Sequence, residues 1–170
     1  MTSNVVSTAQ ARASRQSGQN SHRVVACLGG DRTVLEERPV PVPGTGELLL
    51  RLRVVGFCGT DLFKLDSNSV NAGTVLGHEL VGEVIALGDG VSGFAGGDRV
   101  VVPHHAPCGT CHLCRCGNET MCEVFRENLL EPGAFADTIL VKSRATEFAA
   151  RCLPDYVSDE AAVFMEPKRA

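Results

Sequence analysis

The sequence predicts a mainly β fold, a barrel-like wrapping of short strands interrupted by a loop-like insertion and accompanied by a few short helices. Three observations carry that expectation. Strand-type runs bounded by Gly and Pro recur along the chain, at 22–28, 33–38, 47–56, 79–87, 98–102 and 136–141. Helical periodicity is sparse before Cys58. The segment 103–122 loses its apolar period altogether, yet holds five of the eight cysteines, so something other than a hydrophobic core must hold it.

Each element has its own signal. In Leu48-Leu49-Leu50-Arg51-Leu52-Arg53-Val54-Val55 an apolar run passes into alternation, as in a strand covered on one face and partly on the other. A short helix is expected around 61–65. Ser158 is a good N-cap for a second one, running through Asp159, Glu160 and Ala161 towards Met165. The first 22 residues are rich in Ser, Gln, Asn and Ala, with Arg12 and Arg15 their only charged residues besides the terminus. Too little apolar surface is present to offset the entropy of ordering them. A transit peptide shares that composition, but no amphipathic period is visible, and a disordered tail over 1–22 is expected, followed by one domain over 23–170.

Composition narrows the function. With 44% hydrophobic and 21% charged residues in 170, the chain is ordinary globular material for one cored domain. A net charge of -4 gives no basic face for nucleic acid or an anionic membrane. No run of roughly 18 apolar residues and no signal-peptide core occurs, so a cytoplasmic protein acting on a small molecule, with no nucleic-acid or membrane partner, is the expectation.

The insertion reads as a metal lobe. Cys108, Cys111 and Cys114 are spaced by two residues each and Cys122 follows after seven more. Four thiolates so placed can wrap one zinc ion tetrahedrally. A disulfide framework would suit a small secreted chain instead, and nothing here indicates secretion. Cys116 sits one residue from Cys114, a poor chelating gap, and is expected to be a bystander. A site closed by four cysteines leaves no position for substrate, so its role is to fold the lobe.

Two further fragments carry metal-type residues: Gly56-Phe57-Cys58-Gly59-Thr60-Asp61, and Gly77-His78-Glu79. Alone, Cys58 reads as a small buried hydrophobe and His78 as a hydrogen-bonded core residue. Together with Gly97-Asp98-Arg99-Val100, the four-cysteine segment, Gly133-Ala134-Phe135-Ala136 and Glu166-Pro167, their order and spacing resemble the catalytic domain of the zinc-dependent medium-chain alcohol and polyol dehydrogenases. The flavour is that of the sorbitol and threonine dehydrogenase branch, since Glu-Pro stands where the animal alcohol dehydrogenases place a second zinc-binding cysteine.

The resemblance covers about 24–167 and implies a GroES-like distorted β-barrel holding two zinc ions. One would be structural, in the lobe. The other would be catalytic, with Cys58 and His78 as ligands, Glu79 as ligand or close neighbour, and Glu166 approaching from the end of the domain. It further implies that Thr60 supplies the hydroxyl passing the substrate's proton onward, and that Asp61 is a carboxylate orienting His78. A helix N-cap is the plainer role for Thr60 and Asp61, compatible with both. His104, His105 and His112 match no metal position and are expected to be surface or hydrogen-bonding residues. Cys27 and Cys152 are expected to be thiols without a role.

Such enzymes use zinc as a Lewis acid on an alcohol or polyol and pass a hydride to NAD or NADP held by a Rossmann domain. The run Gly88-Asp89-Gly90-Val91-Ser92-Gly93 imitates the glycine fingerprint of that domain. It leaves no room for a helix before the next strand, and Asp89 would repel a pyrophosphate. No other fingerprint follows Glu166-Pro167 before Ala170, which fits a truncation, an excised domain or an altered frame alike. A dehydrogenase half, inactive until a Rossmann domain or an oligomeric partner completes it, is therefore expected. The alternative is a non-catalytic zinc-binding GroES-like interaction module. In the first case the face around Phe57, Phe164 and Met165 is expected to be apolar.

Overall fold

The computed structural model describes residues 21–67 and 69–165. Two sheets make up the fold. The hairpin β1 (Ser21–Gly29) and β2 (Arg32–Pro39) turns at Gly29 and Gly30, both with positive φ. The strands β3 (Leu48–Gly56), β4 (Glu79–Leu87), β5 (Arg99–Val102), β6 (Leu130–Glu131), β7 (Thr138–Val141) and β8 (Arg151–Cys152) form an antiparallel sheet in the order β6-β7-β3-β4-β5-β8. Isolated bridges Val24 to Ala136 and Ala26 to Val75 tie the hairpin to it. Between the strands lie α1 (Gly59–Asp66), α2 (His112–Arg115), α3 (Ser143–Phe148), α4 (Asp159–Ala162) and two 3-10 turns, Glu119–Met121 and Val163–Met165. No described helix is long and apolar enough to cross a membrane.

Strand alternation accounts for the core. Leu48, Leu50, Leu80, Val84, Val100, Val102, Ile139 and Val141 meet on one face of the sheet, as the period of two requires. Val81 and Val101 point to the other, where Ala162 and Val163 cover them. The uninterrupted apolar run of β5 thus reflects burial on both faces.

Strand limits differ from the sequence expectation for local reasons. The first strand opens at Ser21 rather than after a tail ending at 22: His22 is buried, and its Nδ1 accepts from the Thr138 N–H at 3.3 Å. Residues 1–20 lie outside the described ones. The expected strand 136–141 starts only at Thr138, because the Phe135 carbonyl accepts from Val25 N and the Asp137 N–H donates to Arg23 O, both in β1, while the Asp137 carbonyl accepts from Leu52 N of β3. Asp98 leaves β5 to cap a turn, accepting the Ala95 N–H at 2.8 Å. The helix expected over 61–65 spans 59–66, and the one capped by Ser158 forms as read, Ser158 Oγ accepting from Ala161 N.

The imitation fingerprint is a loop between β4 and β5. Gly88 passes so close to another chain segment that a Cβ there would overlap the Gly44 carbonyl oxygen, while its N–H donates to Glu47 O at 2.8 Å. Backbone cannot yield as a side chain can, so Gly88→Ala is expected to cost about 2 to 3 kcal/mol in urea unfolding. Gly90→Ala, with nothing within 4 Å, loses only its positive φ and should cost about 1 kcal/mol.

Asp159 fastens α4 to the sheet. Its carboxylate accepts from Arg53 Nε at 2.6 Å and Arg99 Nη1 at 2.9 Å. Burial raises its pKa, but the two guanidiniums outweigh burial and hold it below the ordinary carboxylate value. Depression means that the stabilisation is complete above the unfolded value, near 4, and fades as pH falls through the folded one. Asp159→Asn is therefore expected to cost about 1 to 2 kcal/mol at neutral pH. The difference from wild type should narrow below about pH 4, with both proteins measured metal-free by chemical denaturation.

Candidate metal centres

The lobe closes on its cysteines. Cys111 is the N-cap of α2, its Sγ accepting the Cys114 N–H, and Cys108 Sγ accepts the Cys111 N–H at 3.3 Å. These turns bring the sulfurs of Cys108, Cys111, Cys114 and Cys122 within 4.8 Å of one another. Cys111 and Cys114 lie at 3.4 Å, Cys108 and Cys114 at 3.9 Å. Sulfurs about 2.3 Å from a central ion would stand about 3.8 Å apart at tetrahedral corners, so the cluster has the size for zinc. Cys116 is exposed, against the His112 ring, outside the group of four.

The thiols divide in their acidity. The backbone N–H and hydroxyl of Thr110, with the Cys111 N–H, lower the Cys108 pKa to about 6. Burial, then the neighbouring thiols, raises that of Cys114 to about 12. Cys114 in that setting ionises near neutrality only where a cation shares its charge.

A second group forms where β3 ends and β4 begins. Donor atoms of Cys58, His78 and Glu79 lie within 4.8 Å of one another. Cys58 is the N-cap of α1, its Sγ accepting the Thr60 N–H at 3.4 Å. His78 and Glu79 are buried. The set of one sulfur, one imidazole nitrogen and one carboxylate oxygen suits a borderline-soft ion.

Asp61, fully buried, organises this corner. One carboxylate oxygen accepts the Cys58 N–H at 3.1 Å, the other the Gly77 N–H at 3.2 Å, and the latter also stands 3.4 Å from His78 Nδ1. Burial raises the Asp61 pKa, but His78 and the two N–H groups outweigh burial and hold it below the ordinary range. The N-cap is Cys58 rather than Thr60 or Asp61, and Asp61 completes the capping box from the third helical position. Glu166 lies outside the described residues.

Two contributors went unread in the sequence. Gly56 pairs with Glu79 across the β3 and β4 ladder, and a Cβ on it would collide with the Glu79 carboxylate. The missing side chain makes the space in which that carboxylate lies; the only signal was a Gly closing a strand of Leu, Arg and Val. His104, expected to be a surface or hydrogen-bonding residue, packs its ring against His78 with centroids 4.6 Å apart. Phe57, Leu62, Phe63 and Phe164 are exposed, and Met165 is half-buried against the Val81 and Val101 cluster.

Residues 44–150 match the family model of the alcohol dehydrogenase GroES-like domain. The chain belongs to this family. It is 38% identical over 135 residues to L-threonine 3-dehydrogenase of Aeromonas hydrophila, covering 76% of this chain and 38% of that protein. With the enzyme of the same name from Deinococcus radiodurans it shares 37% identity over 144 residues, 81% and 40% of the two chains. Among solved structures, alcohol dehydrogenase TADH from Thermus sp. ATN1 superposes with a TM-score of 0.72 at 34% identity, covering 84% of this chain and 43% of that one. Acetophenone reductase from Geotrichum candidum, in complex with NAD, gives 0.71 at 31% identity, covering 86% and 44%. The chain thus spans about 40% of the length of the curated relatives it matches. The GroES-like domain and its mostly β architecture agree with the sequence expectation.

Proposed function

We propose that this domain is the metal-holding, substrate-activating part of a zinc-dependent dehydrogenase that oxidises a secondary alcohol or polyol reversibly with NAD or NADP. The convergence of Cys58, His78 and Glu79 on one point, with Asp61 against the imidazole, carries the reading. Cys58, His78 and Glu79 would hold the catalytic ion, with Glu166 as a further ligand, and Cys108, Cys111, Cys114 and Cys122 a structural one. When bound, zinc at the first site supplies Lewis-acid polarisation of the substrate's hydroxyl group.

The chain's own residues do the remaining work. Asp61 orients His78 and strengthens it as a donor. The Thr60 hydroxyl would pass on the proton the alcohol gives up, without ionising itself. Phe57 supplies apolar cover that keeps water from the reacting carbon. Threonine, which carries a secondary hydroxyl, figures in the names of the curated relatives above and heads the substrates to try. The nicotinamide would be held by residues other than those described, since the run 88–93 leads into β5 with no intervening helix.

Metal analysis of the purified protein, followed by NAD- and NADP-linked assays across threonine, secondary alcohols and polyols, tests the reading. About two zinc ions per chain are expected, with turnover by a protein that carries this domain and a nicotinamide-binding one abolished by Cys58→Ser. Residues 1–170 alone should bind zinc without reducing cofactor, because holding donor carbon and acceptor ring in register contributes about 7 to 11 kcal/mol. Absence of any metal at the Cys58 site would overturn the proposal. Saturable turnover by residues 1–170 alone would overturn the placement of the cofactor site.

A further inference from the structure

Four rings, each tilted by 37° to 49° to the next, form a continuous stack of contacts between the two candidate metal centres. His78 packs on His104 at 4.6 Å between centroids, His104 on His105 at 3.6 Å, and His105 on Phe125 at 5.6 Å. Each end is tied to a cluster. His78 belongs to the Cys58 group. At the other end, Phe125 donates its N–H to the carbonyl of Cys122, a member of the four-cysteine group, at 2.9 Å.

The middle of the stack is fixed as well. The Glu127 carbonyl can only accept, so His105 Nδ1, 3.3 Å away, carries the proton that joins them. Arg144 clamps the same turn through Val124 O at 2.9 Å and Glu127 Oε2 at 2.8 Å. The Leu129 N–H donates to His104 O at 3.0 Å, which fixes the backbone that carries the His104 ring.

From this contiguity we infer that His104 is a positioning residue that couples the two centres: ordering of the lobe by its ion holds the Phe125 turn, and the stack transmits that order to the ring of His78. The inference rests on the metal-binding reading of both clusters. A lobe that is ordered with its ion and loose without it provides the two-state element that coupling requires. A ring held at its metal-ligating angle gives up less freedom on binding, so filling the lobe tightens the Cys58 site and, by reciprocity, the reverse. The link runs through the ring contacts on both sides of His104, so phenylalanine at 104 should serve and alanine should not.

Cobalt(II) in place of zinc tests this, because a four-sulfur site and a mixed sulfur, nitrogen and oxygen site absorb differently, and binding at each can be followed separately. With the lobe filled, His104→Ala is expected to weaken cobalt at the Cys58 site about tenfold, as second-layer partners of a ligating histidine usually do. His104→Phe should stay within about threefold of wild type. Phe125→Ala, which removes the lobe end of the stack and no sulfur, should also weaken that site several-fold, and the double variant should be no worse than His104→Ala alone. Additive losses, or a His104→Ala loss that phenylalanine fails to restore, would overturn the coupling while leaving the metal assignments intact. Failure of wild type to bind cobalt at the Cys58 site would overturn both. Thermal unfolding of all variants separates these effects from general loss of structure, since the Ala and Phe variants should differ far more in cobalt affinity than in stability.

Discussion

Serine in place of Cys111 is expected to remove about one of two zinc ions per chain and to loosen the lobe over 103–122 while the six-stranded sheet persists. Cys111 is the residue whose loss the lobe tolerates least. It caps α2, accepts the Cys114 N–H and lies 3.4 Å from the Cys114 sulfur. A serine oxygen could still cap the helix, but it is a hard donor that does not ionise near neutrality, so the site would be left with three sulfurs and a gap. The lobe has little else to hold it: Met121 is exposed, and Cys114 and Cys122 are themselves its buried residues between 107 and 123. Structural zinc in small modules contributes about 10 to 16 kcal/mol of apparent binding energy at neutral pH, and most of that is folding energy of the segment wrapped around it. Hydrogen exchange should therefore rise sharply across 103–122 and little in β3 and β4. An unchanged metal content in this variant would show that the four cysteines do not form the site.

The lobe was legible because its ligands come from one short segment, where spacing alone nearly determines geometry. The Cys58 group was not legible in that way. Cys58 and His78 are 20 positions apart, and neither residue type is unusual; only the resemblance of several motifs together pointed to them. What joins them in space is the pairing of Gly56 with Glu79 at the open end of β3 and β4, a tertiary register that local pattern does not encode. Gly56 and His104 escaped notice for related reasons. A glycine acts here through an absent atom, and His104 acts through a ring partner 26 positions earlier in the chain. Strand limits failed where backbone bonds are shared between sheets, as at Ala136, bridged to Val24 of β1, and at Asp137, bonded to Arg23 of β1 and Leu52 of β3.

Asp61→Ala is expected to produce the largest combined loss of stability and metal affinity of any substitution outside the ligands themselves. The side chain is completely buried and serves three groups at once: the Cys58 N–H, the Gly77 N–H and His78. Removing it strands two part-buried donors at about 1 to 3 kcal/mol each and takes away half of the capping box of α1. The expected destabilisation is about 3 to 5 kcal/mol, measured metal-free by urea unfolding. Affinity at the Cys58 site should fall by about 10- to 100-fold through loss of the orienting carboxylate. Asp61→Asn separates the two roles. Its amide oxygen can still accept one backbone N–H, while the uncharged group no longer strengthens the imidazole as a donor, so affinity should fall nearly as far and stability by less than half as much. Equal losses of affinity and stability in the asparagine variant would mean that Asp61 acts only as a scaffold for the turn, and that His78 owes its orientation to the ring of His104 instead.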